Sequence, residues 1–105
     1  MSIKEQMKEA LVLISGEMSN YGHQIWRNFM YGNYGEEDYR DCLIYKNADY
    51  KTQRPFVISN YTKLLALEFN CSYGYAQKTI VGLFPKEKLV SITDGFINEL
   101  NNMEE

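Results

Sequence analysis

Between Leu64 and Leu83 the sequence reads LLALEFNCSYGYAQKTIVGL, two helical patterns split by three residues that suit a turn. Leu64, Leu65, Leu67 and Phe69, with Ala66 among them, predict a short helix over Thr62 to Phe69. Asn70 ends it, because Asn enters the left-handed backbone region at least cost after Gly, and Ser72 caps the next helix through its hydroxyl. The second helix places Ala76 and Ile80 one turn apart on its inner side. A three-residue connection gives the two helices no freedom to separate, so the rest of the chain must pack around this pair. Ala66 falls where the axes cross, since only a small side chain permits close approach.

The string Cys71-Ser72-Tyr73-Gly74-Tyr75-Ala76-Gln77-Lys78-Thr79-Ile80 resembles the turn and recognition helix of many bacterial helix-turn-helix DNA-binding proteins. Those tend to read small apolar, Ser, three variable residues, Ala or Val, Gln, basic, variable, Ile. The likeness covers about twenty of the 105 residues, roughly 62 to 83. It departs in three places: Asn70 stands where Gly is usual, Gly74 lies inside the recognition helix, and Lys78 is that helix's one basic residue. The resemblance implies that the second helix enters the major groove and presents Ser72, Tyr73, Tyr75, Gln77 and Lys78. Gln77 would pair with adenine, Ser72 and Tyr73 would reach phosphates or base edges, and Lys63, Lys86 and Lys88 would supply backbone contacts. One such unit buries too little surface for selective binding, which implies a homodimer joined through the first or the last helix. Without the resemblance, the same residues describe a plain packed pair of helices.

Charge distribution suits this reading better than charge total. The net charge of −3 argues against indiscriminate wrapping of nucleic acid. Residues 46 to 88 nevertheless hold Lys46, Lys51, Arg54, Lys63, Lys78, Lys86 and Lys88 against only Asp49, Glu68 and Glu87. The acids gather in the first forty residues and at the end, leaving the central span basic.

The remaining chain predicts a mainly α single domain of about five helices. Residues 2 to 19 form one helix, with Ser2 and Glu5 as a capping box and Ile3, Met7, Ala10, Leu11, Ile14 and Met18 on one face. A second starts near Ser19 or Asn20 and carries Ile25, Trp26, Phe29 and Met30 inward. YGNYGEED, residues 31 to 38, reads as an acidic loop. Residues 37 to 47 favour helix and 48 to 58 irregular chain, with a short β-hairpin over 43 to 58 as the alternative and Pro55 confining its second strand to an edge. Ser59 and Asn60 offer caps for the helix that follows. Pro85 opens a last helix over 86 to 102, whose polar tail from Asn101 is expected to fray. Most of the nine tyrosines are expected to fill the core.

Catalytic constellations are missing from the sequence: there is no glycine-rich phosphate loop, nucleophile elbow or closely spaced cysteine pair. His23, the single histidine, has no ligand partner at metal-binding spacing, so no cofactor and no enzyme is expected. Cys42 and Cys71 read as free thiols of a cytoplasmic protein, since MSIKEQMKEA is no signal peptide and no run of about eighteen apolar residues spans a membrane. A rival of another class is an acidic, Tyr-rich inhibitor that neutralises a basic partner, in the manner of an immunity protein, antitoxin or phage-encoded inhibitor. Tyr34, Glu36, Glu37, Asp38, Tyr39 and Asp41 would carry that interface.

Overall fold

Ser2 opens the first helix as its spacing predicts, its Oγ accepting the backbone N–H of Glu5 at 3.1 Å. In the computed structural model, which describes residues 2–12 and 21–104, this helix, α1, covers Ile3–Val12. Five more follow: α2 (Tyr21–Met30), α3 (Glu36–Tyr45), α4 (Tyr50–Glu68), α5 (Tyr73–Leu83) and α6 (Lys86–Asn101). Residues 13–20, including the expected continuation of the first helix through Leu13, Ile14 and Met18 and the start of the second, lie outside the described residues.

Helix α4 is the axis of the bundle. It packs against α2, α3, α5 and α6, while α1 lies across α2 and α5. Its inner side contributes Val57, Tyr61, Leu64 and Leu65 to a core completed by Ile25, Trp26 and Phe29 of α2 and by Ile92, Phe96, Ile97 and Leu100 of α6. Trp26 is fully buried between Phe29 and Phe96, at ring-centroid separations of 5.1 and 5.2 Å. Tyr61 approaches Phe96 at 5.4 Å and meets Thr93 Oγ1 at 3.3 Å, which satisfies its hydroxyl inside the core. A radius of gyration of 13.0 Å is that of one compact unit of this length.

From Tyr50 onward the stretch 48 to 58 is helix, neither irregular chain nor hairpin, and no strand occurs among the described residues. The Asp49 side chain caps it, accepting the Thr52 N–H at 2.7 Å. Two tertiary tethers hold the turns that follow. Buried Gln53 donates through Nε2 to the Tyr45 carbonyl at 3.0 Å and to Asn101 Oδ1 at 2.6 Å. Phe56 stacks on Tyr45 with centroids 4.0 Å apart. Pro55 sits inside the helix with its ring exposed, so its missing N–H deprives only the Lys51 carbonyl of a helical donor. Ser59 and Asn60 are therefore mid-helix, and Asn60 bonds back to the Phe56 carbonyl at 2.8 Å.

Three further expectations need correction. The acids Glu36, Glu37 and Asp38 form the first turn of α3, where the helix dipole favours them, so the loop ends at Gly35. Gly32, at φ +81, closes α2, and a Cβ there would meet Gly35 O and Tyr39 Cβ, both at 3.3 Å. The tail does not fray up to Glu104: Met103 is buried, Lys46 Nζ donates to its carbonyl at 2.7 Å, and the Glu104 N–H donates to the Tyr31 hydroxyl at 3.2 Å. The tyrosines mostly stay outside. Tyr31, Tyr34, Tyr50, Tyr73 and Tyr75 are exposed, and the first three bind neighbouring elements through their hydroxyls.

The turn at 70 to 72 is a Schellman closure. Asn70 adopts φ 51, the Cys71 N–H donates to the Ala66 carbonyl at 3.0 Å, and the Asn70 N–H reaches the Leu67 carbonyl at 3.4 Å. Replacing Asn70 by Gly, which has no Cβ penalty in that region, is expected to raise stability by a few tenths of a kcal/mol, and Asn70→Ala to lower it by about 1 kcal/mol. Urea midpoints of the two variants check this, and equal midpoints would contradict the strain assigned to Asn70.

Burial, reinforced by the negative charges of Asp38 and Asp41, pushes the Cys42 thiol from its ordinary 9.0 up to about 12. The folded state thus holds a proton that the unfolded chain releases. The stabilisation is complete below about pH 9 and is lost as the pH rises towards 12. Guanidinium midpoints between pH 8 and 11 should therefore fall less steeply for Cys42→Ala than for the native chain, and parallel slopes would count against this origin.

Candidate nucleic-acid interface

Two alanines set the angle between α4 and α5. Ala66 and Ala76 pack together beneath Met7 of α1, with Phe69 and Cys71 closing the edge. Ala76 is wholly buried, and Thr79 and Ile80 complete the inner side of α5. Apart from Leu83, which packs against the core, its other residues face outward: Tyr73, Gly74, Tyr75, Gln77, Lys78, Val81 and Gly82 are all exposed. No acidic residue occurs in this helix, so the exposed surface of α5 carries the Lys78 charge uncancelled from within. Ser72 is its cap, accepting the Tyr75 N–H at 3.0 Å, which leaves the hydroxyl proton and one lone pair for further partners.

The other expected contacts divide by position. Gln77 and Lys86 line one cleft of about 220 Å³ between α4, α5 and α6, together with Arg54, Ile58 and Val81. Tyr73 lies at the edge of a larger groove of about 580 Å³ that runs along the first half of α4. Tyr75 follows Tyr73 by two residues, about 200° around the helix, and stands on the opposite flank. Lys63 is exposed on α4 beside α3, where its charge acts on Asp38. Lys88 is half-buried. Tyr73, Gln77 and Lys86 thus share one face with Arg54, whereas Lys63 belongs to another.

Arg54 and Lys51 are the members of this face that sequence reasoning missed. With 48 to 58 read as irregular, nothing placed Lys51, Arg54 and Ile58 at intervals of three and four on one side of a helix. The cap Asp49, with Thr52 three residues on, was the available signal. Arg54 differs from the two other arginines: Arg27 binds Glu99 at 3.2 Å and Arg40 binds Glu36 at 3.5 Å. Among the described residues no carboxylate lies within 4.0 Å of Arg54, and its Nε is buried without a hydrogen-bond partner.

The acidic surface is a helix face instead of a loop. Glu36, Glu37 and Asp41 are exposed, but Glu36 is paired with Arg40. Asp38 and Tyr39 are half-buried, and Tyr39 packs against the core. Partial burial raises the Asp38 pKa above the usual carboxylate range, with Lys63 opposing and Asp41 and Glu37 adding to the rise. Tyr34 is turned towards α4, donating to Glu68 Oε1 at 2.6 Å. His23 bonds Glu99 through Nδ1 and meets Phe96 edge-on. Among the described residues no group of three or more His, Cys, Asp or Glu could hold a metal ion, and no helix is long and apolar enough to cross a membrane. No family model matches the chain, and neither the curated proteins nor the solved structures contain a significant match to it.

Proposed function

We propose that this chain is a non-enzymatic DNA-binding protein, a helix-turn-helix regulator or accessory factor that reads double-stranded DNA with α5. The observation that carries the reading is the outward, acid-free surface of α5, with Tyr73, Gln77 and Lys78 exposed beyond a rigid left-handed turn. A base-reading helix needs such a surface, because groove entry brings the whole exposed side against phosphates and base edges. Gln77 offers the amide donor and acceptor that adenine requires, Lys78 and Lys86 supply phosphate contacts, and Tyr73 borders the same face. One α5 is small for selective recognition, so the proposed working unit is a homodimer.

A second reading draws on Glu36, Glu37 and Asp41, which α3 holds at the surface in a fixed helical arrangement. Such a face would steer a basic protein partner and would place the chain among inhibitors. The two readings use different elements, so substitution separates them.

Duplexes selected from a random pool, followed by fluorescence anisotropy at several salt concentrations, test the DNA reading. Gln77→Ala is expected to weaken the selected site by about 10- to 100-fold while leaving random duplex nearly unchanged, because the lost contact is to a base. Lys78→Gln should weaken both alike and reduce the salt slope by about 0.9, one phosphate contact fewer. Failure of the pool to yield any enriched site, or unchanged affinity on replacing both Gln77 and Lys78, would remove this function. Loss of binding to a captured basic protein on neutralising Glu36, Glu37 and Asp41 would then establish the inhibitor.

A further inference from the structure

The groove along the first half of α4 has a chemistry of its own. It is lined by the rings of Tyr50 and Tyr73, by apolar Pro55 and Ile58, and by the charged Lys51 and Arg54. Among the described residues no carboxylate lines it. Asp94 accepts the Tyr50 hydroxyl at 2.6 Å, which tethers that ring beside the groove. The volume of about 580 Å³ falls within the range of sites for small organic ligands, roughly 300–1,000 Å³.

Arg54 indicates the sign of the occupant. Among the described residues no carboxylate pairs with Arg54, so its charge is not compensated by a local ion pair. Each of the other arginines has a carboxylate partner. A phosphate entering the groove would meet the guanidinium fork, which matches its oxygens two at a time, and Lys51 as a second cation. The rest of the lining favours a flat ring: two tyrosines and an apolar patch are what a base stacks and rests upon, and stacking of this kind tolerates any base.

We infer that this groove binds a nucleotide, its phosphate held by Arg54 and Lys51 and its base between Tyr50 and Tyr73. The source is either a free nucleotide or a nucleotide unit of a single strand, which share this chemistry. The site does not rest on groove entry by α5, since Tyr50, Lys51, Arg54, Pro55 and Ile58 all belong to α4.

Titration of the full chain with thymidine 5′-monophosphate, followed by amide NMR shifts and calorimetry, tests it. Saturable shifts are expected around Tyr50, Arg54, Ile58 and Tyr73, with thymidine and inorganic phosphate each at least about tenfold weaker, because each retains half of the interactions. Arg54→Gln should weaken binding about tenfold or more and Arg54→Lys less, since a point charge keeps the attraction but loses the fork. Circular dichroism melts establish that both variants fold, and Lys51→Gln supplies a second, exposed substitution with an expected few-fold loss. A 5′-phosphorylated oligothymidylate that binds more tightly than the monophosphate identifies the strand as the source, and equal affinity identifies the free nucleotide. No saturation up to about 10 mM monophosphate, or equal affinity for native chain and Arg54→Gln, overturns the site. The titration contains no duplex, so a chain that fails to select duplex DNA can still bind the nucleotide, and the two failures are told apart.

Discussion

The close approach of α4 and α5 at Ala66 and Ala76 is the contact on which the orientation of the outer face of α5 depends. Any larger side chain at either place would push the helices apart, and interiors packed at crystal density do not absorb extra methylenes without shifting backbone. The Schellman turn then fixes how the chain leaves α4, since its two hydrogen bonds and the positive φ of Asn70 allow one exit direction. Met7 covers the crossing from above, so α1 clamps an angle that the turn and the alanines have already set. The inner residues of α5 are thereby consumed in packing, and the direction of its outer face follows from theirs by helical period alone.

A second constraint runs through the polar seam at the far end of α4. Asn101 Oδ1 accepts from both Gln53 Nε2 and the Asn47 N–H, at 2.6 and 2.9 Å, and so joins the end of α6 to the turn between α3 and α4. Gln53 is buried, and its amide donates to groups from two separate elements, α3 and α6. This seam anchors the helical turn before Pro55, where the missing N–H would otherwise encourage the chain to unwind. Arg54 and Lys51 owe their places on the α5 side to it.

Those facts explain what could be read in advance. Local chemistry was legible: the Ser2 and Ser72 caps, the left-handed Asn70, and the burial of Ala76 and Ile80 each follow from one residue and its near neighbours. The first half of the helix over Tyr50–Glu68 was not, because what overcomes Pro55 there is tertiary: the Gln53 amide reaching Asn101 and the Phe56 ring stacked on Tyr45. The tail misled for the same reason, since Met103 is held by a core that assembles from distant segments. The tyrosines were assigned inward on ring size alone. Their hydroxyls decided otherwise, because Tyr34, Tyr50 and Tyr31 find partners at the surface without desolvation. The candidate face was therefore half visible: α5 from its own pattern, and the α4 contribution only after the helix had been extended.

The acidic net charge does not oppose a nucleic-acid face on this molecule. Interactions between exposed charges fade beyond about 8 Å at physiological ionic strength, whereas the molecule extends 38 × 28 × 27 Å. The acids of α3 are also partly spent on local partners, Glu36 on Arg40 and Asp38 against Lys63. An approaching phosphate near α5 and the first half of α4 meets Lys78, Lys86, Lys51 and Arg54 against Asp49, Glu87 and Asp94, while the acids of α3 discourage adhesion in other orientations. Net charge sets how weakly such a chain holds nucleic acid at random. The placement of charge sets which face it turns towards it.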